Sequence, residues 1–197
     1  MLTFSSIIPA GRLESRTTNF SADSPNPGIA SISATKNVVG LNRRLSLGIK
    51  VTNYGVAAET FNATFYANST IIHEIFDVTV DGQNSTIVIF NWTVAGFAYG
   101  NYSISAGITP VFNETELSDN FIDGLWIFVT ITGDINADKN VDIFDAILFA
   151  NLWGGYHVMV YPWYPPSLYW IADFDDNGKL DIFDAIILAG NFGKHWE

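Results

Sequence analysis

Leu45, Leu47, Ile49 and Val51 alternate with Arg44, Ser46, Gly48 and Lys50, a period of two that sets one face of a strand in a core and the other in water. The same alternation recurs at Phe61, Ala63 and Phe65, at Val88, Phe90 and Trp92, and at Tyr102, Ile104, Ala106 and Ile108. Turn-forming residues punctuate these runs at Asn53-Tyr54-Gly55, Asp81-Gly82 and Gly100-Asn101, at a spacing close to that of a sandwich of about seven strands. Residues 29–131 therefore predict an antiparallel β-sandwich. Beyond them the period changes. Ile143, Phe144, Ala146, Ile147, Leu148, Phe149, Ala150, Leu152 and Trp153 leave only Asp145 and Asn151 polar, and Ile182, Phe183, Ala185, Ile186, Ile187, Leu188 and Phe192 repeat the run. Gly154 and Gly193 stand where helix C-caps belong, so each helix is about ten residues long, too short to span a membrane. Helices this apolar need cover on more than one side, from each other, from the sandwich or from another subunit.

Each helical run is preceded by the same acidic pattern: DINADKNVDIFD from Asp134 and DFDDNGKLDIFD from Asp173, offset by 39 residues. Oxygen-bearing side chains fall at positions 1, 3, 5, 9 and 12, the spacing with which an EF-hand-type loop wraps one ion. The first loop offers Asp134, Asn136 and Asp138, the Asn140 carbonyl, Asp142 through a water, and Asp145 with both oxygens. The second offers Asp173, Asp175 and Asn177, the Lys179 carbonyl, Asp181 and Asp184 in the same roles. Position 8 is apolar in both (Val141, Leu180) and should turn inward. Position 6 calls for a left-handed backbone, which Gly178 adopts freely and Lys139 only at about 1 kcal/mol, making the first site the weaker. Two Ca²⁺ ions are the expected cofactor, because magnesium demands a tighter octahedron and zinc prefers the Cys and His ligands missing here.

A duplicated calcium loop followed by one helix, opening with Gly133-Asp134 and closing with Asp at position 12, resembles a type I dockerin module over residues 132–195. The resemblance implies an extracellular, calcium-dependent module that docks on a β-sandwich partner, cohesin. Positions 10 and 11, often small hydroxyl residues that touch cohesin in that family, are here Ile143-Phe144 and Ile182-Phe183, which become the candidate interface residues. The preceding stretch resembles the CARDB-like group of immunoglobulin-type adhesion domains: IKVTNYG matches a strand and Asn-x-Gly turn, IVIFNWT a central Trp strand, and ETELSDN the acidic turn before the last strand. The chain thus divides into an extended segment at 1–28, a sandwich at 29–131 and a calcium-binding module at 132–197.

Composition narrows the function. With 48% hydrophobic and 15% charged residues the chain is globular rather than an acidic tail. Of the net charge of −11, residues 1–130 carry −4 and residues 131–197 carry −7, so much of the acidity sits in the loops. A nucleic-acid partner is disfavoured without a basic surface. Cysteine is absent. Asn19, Asn62, Asn68, Asn84, Asn91, Asn101 and Asn113 each open an N-x-S/T acceptor, and none occurs after residue 131, which favours a glycosylated extracellular protein with an unglycosylated calcium module.

MLTFSSII at the start is apolar and strand-like, without the basic start and long apolar stretch of a secretion signal. It is a candidate for donation to a neighbouring sandwich in a head-to-tail fibre. The run from Gly154 to Trp170 is rich in Pro and aromatics, suited to packing, to an interface or to stacking on sugar rings. His73, His157 and His195 lie in unrelated contexts, and no nucleophile elbow, phosphate loop or dinucleotide fingerprint is present, so no catalytic residue is assigned and an enzyme is not expected. Glu114 and Glu116 are expected to be solvated. The expected function is a non-enzymatic, calcium-stabilised surface protein, with partners that are copies of itself in a filament or surface layer, or a cohesin-like sandwich. The alternative is a dockerin-bearing fragment of a larger secreted enzyme or scaffold.

Overall fold

The computed structural model describes residues 24–153 and 168–197. Eight strands come first: β1 (Pro27–Ala34), β2 (Val38–Gly40), β3 (Arg44–Asn53), β4 (Glu59–Ala67), β5 (Thr70–Val80), β6 (Ser85–Thr93), β7 (Gly100–Ile108) and β8 (Phe121–Thr130). Three helices follow: α1 (Ile143–Leu152), the five-residue α2 (Leu168–Ala172) and α3 (Ile182–Asn191). The strands form two sheets, one in the order β1-β3-β6 and one in the order β2-β8-β7-β4-β5. All pairings are antiparallel except that of β2 with β8.

The period-two pattern explains the sandwich. Leu45, Leu47, Ile49 and Val51 of β3 are 3% exposed or less and meet Phe61, Ala63 and Phe65 of β4, Val88 and Trp92 of β6, and Ile104 and Ala106 of β7 in one core. Each such Leu, Ile or Phe contributes about 1.5–3 kcal/mol when buried. Register follows the same side chains, with Leu47 opposite Phe90 and Ile49 opposite Val88. Asn53 closes β3 fully buried. Its Nδ2 donates to the carbonyls of Ala57 (2.7 Å) and Val80 (3.1 Å), and its Oδ1 accepts from Gly55 N (2.9 Å), so the Asn-Tyr-Gly turn is held by one satisfied amide.

Gly100-Asn101, expected as a turn, instead opens β7, Gly100 pairing with Val129 and Asn101 with Phe128. Composition suggested the turn, but β8 supplies the pairing that draws both residues into the sheet. Gly193 follows the α3 cap residue Phe192 with φ +82°, the left-handed stop its position implied. Gly154, the matching candidate after α1, lies outside the described residues, as do the candidate donor strand in residues 1–23 and most of the Pro/aromatic run.

A second core joins the helices to the sandwich. Ile135, Val141, Phe149, Ile171, Phe174 and Leu188 pack with Val38 of β2 and Ile131, just beyond β8. No helix among the described residues is long and apolar enough to cross a membrane.

Candidate metal centre

Both acidic loops are built by short-range hydrogen bonds from backbone N–H groups to carboxylates. In the first, Asp134 Oδ1 accepts from Asp138 N (3.1 Å) and Oδ2 from Lys139 N (3.0 Å), while Asn136 Oδ1 accepts from Asp138 N (3.0 Å). Asp145 reaches back across the loop: Oδ1 accepts from Ile135 N (2.7 Å) and Oδ2 from Asp142 N (2.9 Å). The second loop repeats the set, with Asp173 accepting from Asn177 N and Gly178 N and Asp184 from Phe174 N and Asp181 N. Position 9 of each loop is the N-cap of the following helix and position 12 completes a capping box, Asp142 with Asp145 and Asp181 with Asp184. The loop thus ends where the helix begins because the same two aspartates serve both. At position 6 Lys139 has φ 76° and Gly178 φ +83°.

Asp134, Asp145, Asp173 and Asp184 are all 2% exposed or less. Burial is the main reason that the carboxyls of Asp134, Asp173 and Asp184 are pushed up, Asp173 to about 6. Hydrogen bonds from Gly178 N and Asn177 N and the nearby Lys36 charge oppose the shift at Asp173, and Asp184 adds to it. One oxygen each from Asp173, Asp175 and Asp184 lies within 4.8 Å of the others. In the first loop the residue matching Asp175 is Asn136, with Asp138 supplying the carboxylate at position 5. Buried carboxylates crowded this closely, in an all-oxygen donor set, fit a hard cation, whose charge removes their repulsion. Asn136, Asp138, Asn140, Asn177 and Lys179 stand on the exposed rim of their loops, and Asp142 and Asp181 are half-buried. The Asn140 side chain turns onto Asp138, and Asn140 bridges His195, so the C-terminal strip lies along the first loop.

Residues that the ligand spacing does not single out tie the loops to the sandwich. Thr130, the fully buried last residue of β8, donates from Oγ1 to Asp134 Oδ2 (2.5 Å) and accepts from Trp196 Nε1 (3.0 Å). Lys36, between β1 and β2, sets its Nζ 2.6 Å from Asp176 Oδ1, and Arg44 N donates to Asp176 Oδ2 (3.1 Å). Asp176 occupies position 4 of its loop, which carries no ligand role. That third acid in the run Asp173-Phe174-Asp175-Asp176 was the available clue.

The candidate interface residues point outward. Ile143, Phe144, Ile182 and Phe183 are 56–61% exposed, and Ile147 and Ile186 one turn on are also exposed. The buried apolar residues of the helices are Phe149 and Leu188, with Ala146, Leu148, Leu152, Ala185 and Ile187 partly covered, so among the described residues the cover falls on one side where the sequence suggested more. Of the sequons, Asn68, Asn84, Asn91, Asn101 and Asn113 are exposed and Asn62 is half-buried, its Oδ1 accepting from Asp77 N (3.1 Å), while Asn19 lies outside the described residues.

No protein-family model and no curated protein matches the chain. Among solved structures it is similar to the CARDB domain of a Pyrococcus furiosus protein in complex with di-metal ions, at 23% identity and TM-score 0.47, covering 55% of this chain and 96% of that one. It is also similar to a domain of a candidate cell surface protein from Methanosarcina acetivorans, at 23% identity and TM-score 0.42, covering 52% of this chain and 91% of that one. A β-glucosidase from Erythrobacter marinus gives 17% identity and TM-score 0.43 over 53% of this chain but only 15% of its own.

Proposed function

We propose that this is a non-enzymatic, glycosylated, calcium-binding structural or adhesion protein of the cell surface, whose dockerin-like loop-helix pair mediates assembly with another protein. The observation that carries the reading is the doubled loop, which gathers buried carboxylates and sets an Ile-Phe pair into solvent at the start of each helix. Asp134, Asn136, Asp138, Asp142 and Asp145 would hold one Ca²⁺ with the Asn140 carbonyl, and Asp173, Asp175, Asn177, Asp181 and Asp184 the other with the Lys179 carbonyl. Each ion would neutralise its carboxylates and fix the N-terminus of the helix that follows. The helices then present Ile143, Phe144, Ile182 and Phe183 as a paired apolar surface of the kind partners bury.

Sedimentation of the glycosylated chain with calcium and with EGTA tests this. Calcium-dependent assembly that Phe144→Ser with Phe183→Ser abolishes supports self-association. A wild-type monomer that captures a cohesin-like sandwich only in calcium supports the alternative, a connector for a separate scaffold. A chain that assembles and binds equally well without calcium contradicts both.

A further inference from the structure

A second group of polar atoms lies in the sandwich, away from the acidic loops. Asn26 Oδ1, Glu114 Oε1, Asp119 Oδ1 and both amide atoms of Asn120 are buried and have no hydrogen-bond partner. Asn120 is only 6% exposed and its backbone is already engaged, N donating to Leu117 O (3.3 Å) and O accepting from Ile108 N (2.9 Å). Its side chain alone is left over. Buried polar atoms in native proteins are nearly always paired, and leaving one orphaned costs about 1–3 kcal/mol, more when it is charged. Four of these five atoms are oxygens, one on each residue, and suit a cation, while the fifth, Asn120 Nδ2, is a donor.

The strip that carries Asn26 is tied to the turn that carries the other three residues. Ile29 N donates to Asp119 O (2.7 Å) at one end, and Ser24 Oγ donates to Asn113 O (3.2 Å) at the other. Asn26 lies in the chain between the two tied residues, Ser24 and Ile29. Gly28 leaves room for the Asp119 carboxylate, since a Cβ on it would sit 2.1 Å from Asp119 Oδ2. Glu114 is turned inward, its Oε2 accepting from Val111 N (2.8 Å), so of the two glutamates expected to be solvated only Glu116 is exposed. No counter-charge is near in sequence, since residues 51–138 contain no Lys or Arg. Among the described residues the one ion pair is Lys36 with Asp176.

We propose that Asn26, Glu114, Asp119 and Asn120 form a separate divalent-cation site in the sandwich, which takes calcium through two carboxylate and two amide oxygens. The donor set is all oxygen and drawn from two irregular strips, which suits the flexible coordination of Ca²⁺ better than the strict octahedron of Mg²⁺. A bound ion would clamp the segment entering β1 to the turn that precedes β8. This site does not depend on the loops being occupied.

Equilibrium dialysis of the full chain against calcium, with the bound metal counted by elemental analysis, tests the proposal. Glu114→Gln with Asp119→Asn is expected to lose one equivalent relative to wild type. Asp134→Asn, Asp138→Asn, Asp173→Asn and Asp175→Asn combined should keep that equivalent while losing those of the loops. An unchanged count in the first variant overturns the site. If that variant does not fold, wild-type crystals soaked in Mn²⁺ decide. An anomalous peak within about 2.0–2.6 Å of the Glu114 and Asp119 oxygens supports the site, and ordered water without anomalous signal overturns it.

Discussion

Lys36 and Asp176 stand 140 residues apart in the chain and 2.6 Å apart in space, one in the sandwich and the other in the second acidic loop. The lysine side chain is 5% exposed and the aspartate 19%. Lys36 Nζ also lies 3.5 Å from the carbonyl of Asp173, the first residue of the same loop. The pair therefore joins the sandwich to the candidate ion site rather than to a remote surface.

The two partners should not be equivalent on mutation. Asp176→Ala strands the more buried charge and is expected to cost about 3–5 kcal/mol, whereas Lys36→Met leaves a carboxylate able to reach water and costs about 1–2 kcal/mol. Urea unfolding checks the order. Equal losses would show that the pair is effectively solvated.

Thr130→Val removes the hydroxyl that donates to Asp134 Oδ2 and accepts from Trp196 Nε1, with little change of volume. The expected result is a stability loss of about 1.5–3 kcal/mol, as for a hydrogen bond to a charged group, with weaker calcium binding at the first loop and an altered Trp fluorescence. Calcium titration of the variant reads this, and an unchanged first-loop affinity would contradict it.

Position 6 separates backbone strain from side-chain contact. A Cβ at Gly178 would meet nothing within 4 Å, so Gly178→Ala should cost about 1 kcal/mol through its φ of +83° alone. Lys139→Gly should gain less than that, because the Lys139 ammonium lies 4.7 Å from the Trp196 ring centre and that attraction, about 0.5–1 kcal/mol, is lost. Thermal unfolding of the two variants gives both numbers.

The metal-free chain should lose stability as pH rises from about 4 to about 6, since Asp173 titrates near 6 when folded and near 3.8 when unfolded. Between those values the folded state holds more protons, and above them the buried charge faces Asp184, relieved only in part by Lys36. Calcium requires the ionised carboxylate, so its affinity should instead increase with pH across the same window. Urea midpoints in EGTA at several pH values check the first trend, and a midpoint that climbs with pH would contradict it.

The parts legible in the sequence were those whose partners are set by a local period. Leu45 to Val51 announced a strand because alternation alone fixes which face is buried, and the loops announced themselves because ligand spacing is a property of twelve consecutive residues. What was not legible depends on partners far along the chain. The three residues of β2 form a strand only because Phe128 to Thr130 lie parallel beside them. The long β5 hides its alternation behind a bulge, where Asp77 has φ 57° and the register shifts opposite Phe61 to Ala63. Thr130, Lys36 and Trp196 look like ordinary surface or strand residues until the fold places Asp134 and Asp176 against them.

Differential scanning calorimetry of the Glu114→Gln, Asp119→Asn chain, in millimolar calcium and in EGTA, leaves only the acidic loops to respond and tests the central claim most directly. At about a thousandfold excess over Kd each of the two sites adds about 4 kcal/mol, so the melting temperature in calcium should stand on the order of 20 °C above that in EGTA. Superimposable transitions in the two buffers would contradict the account.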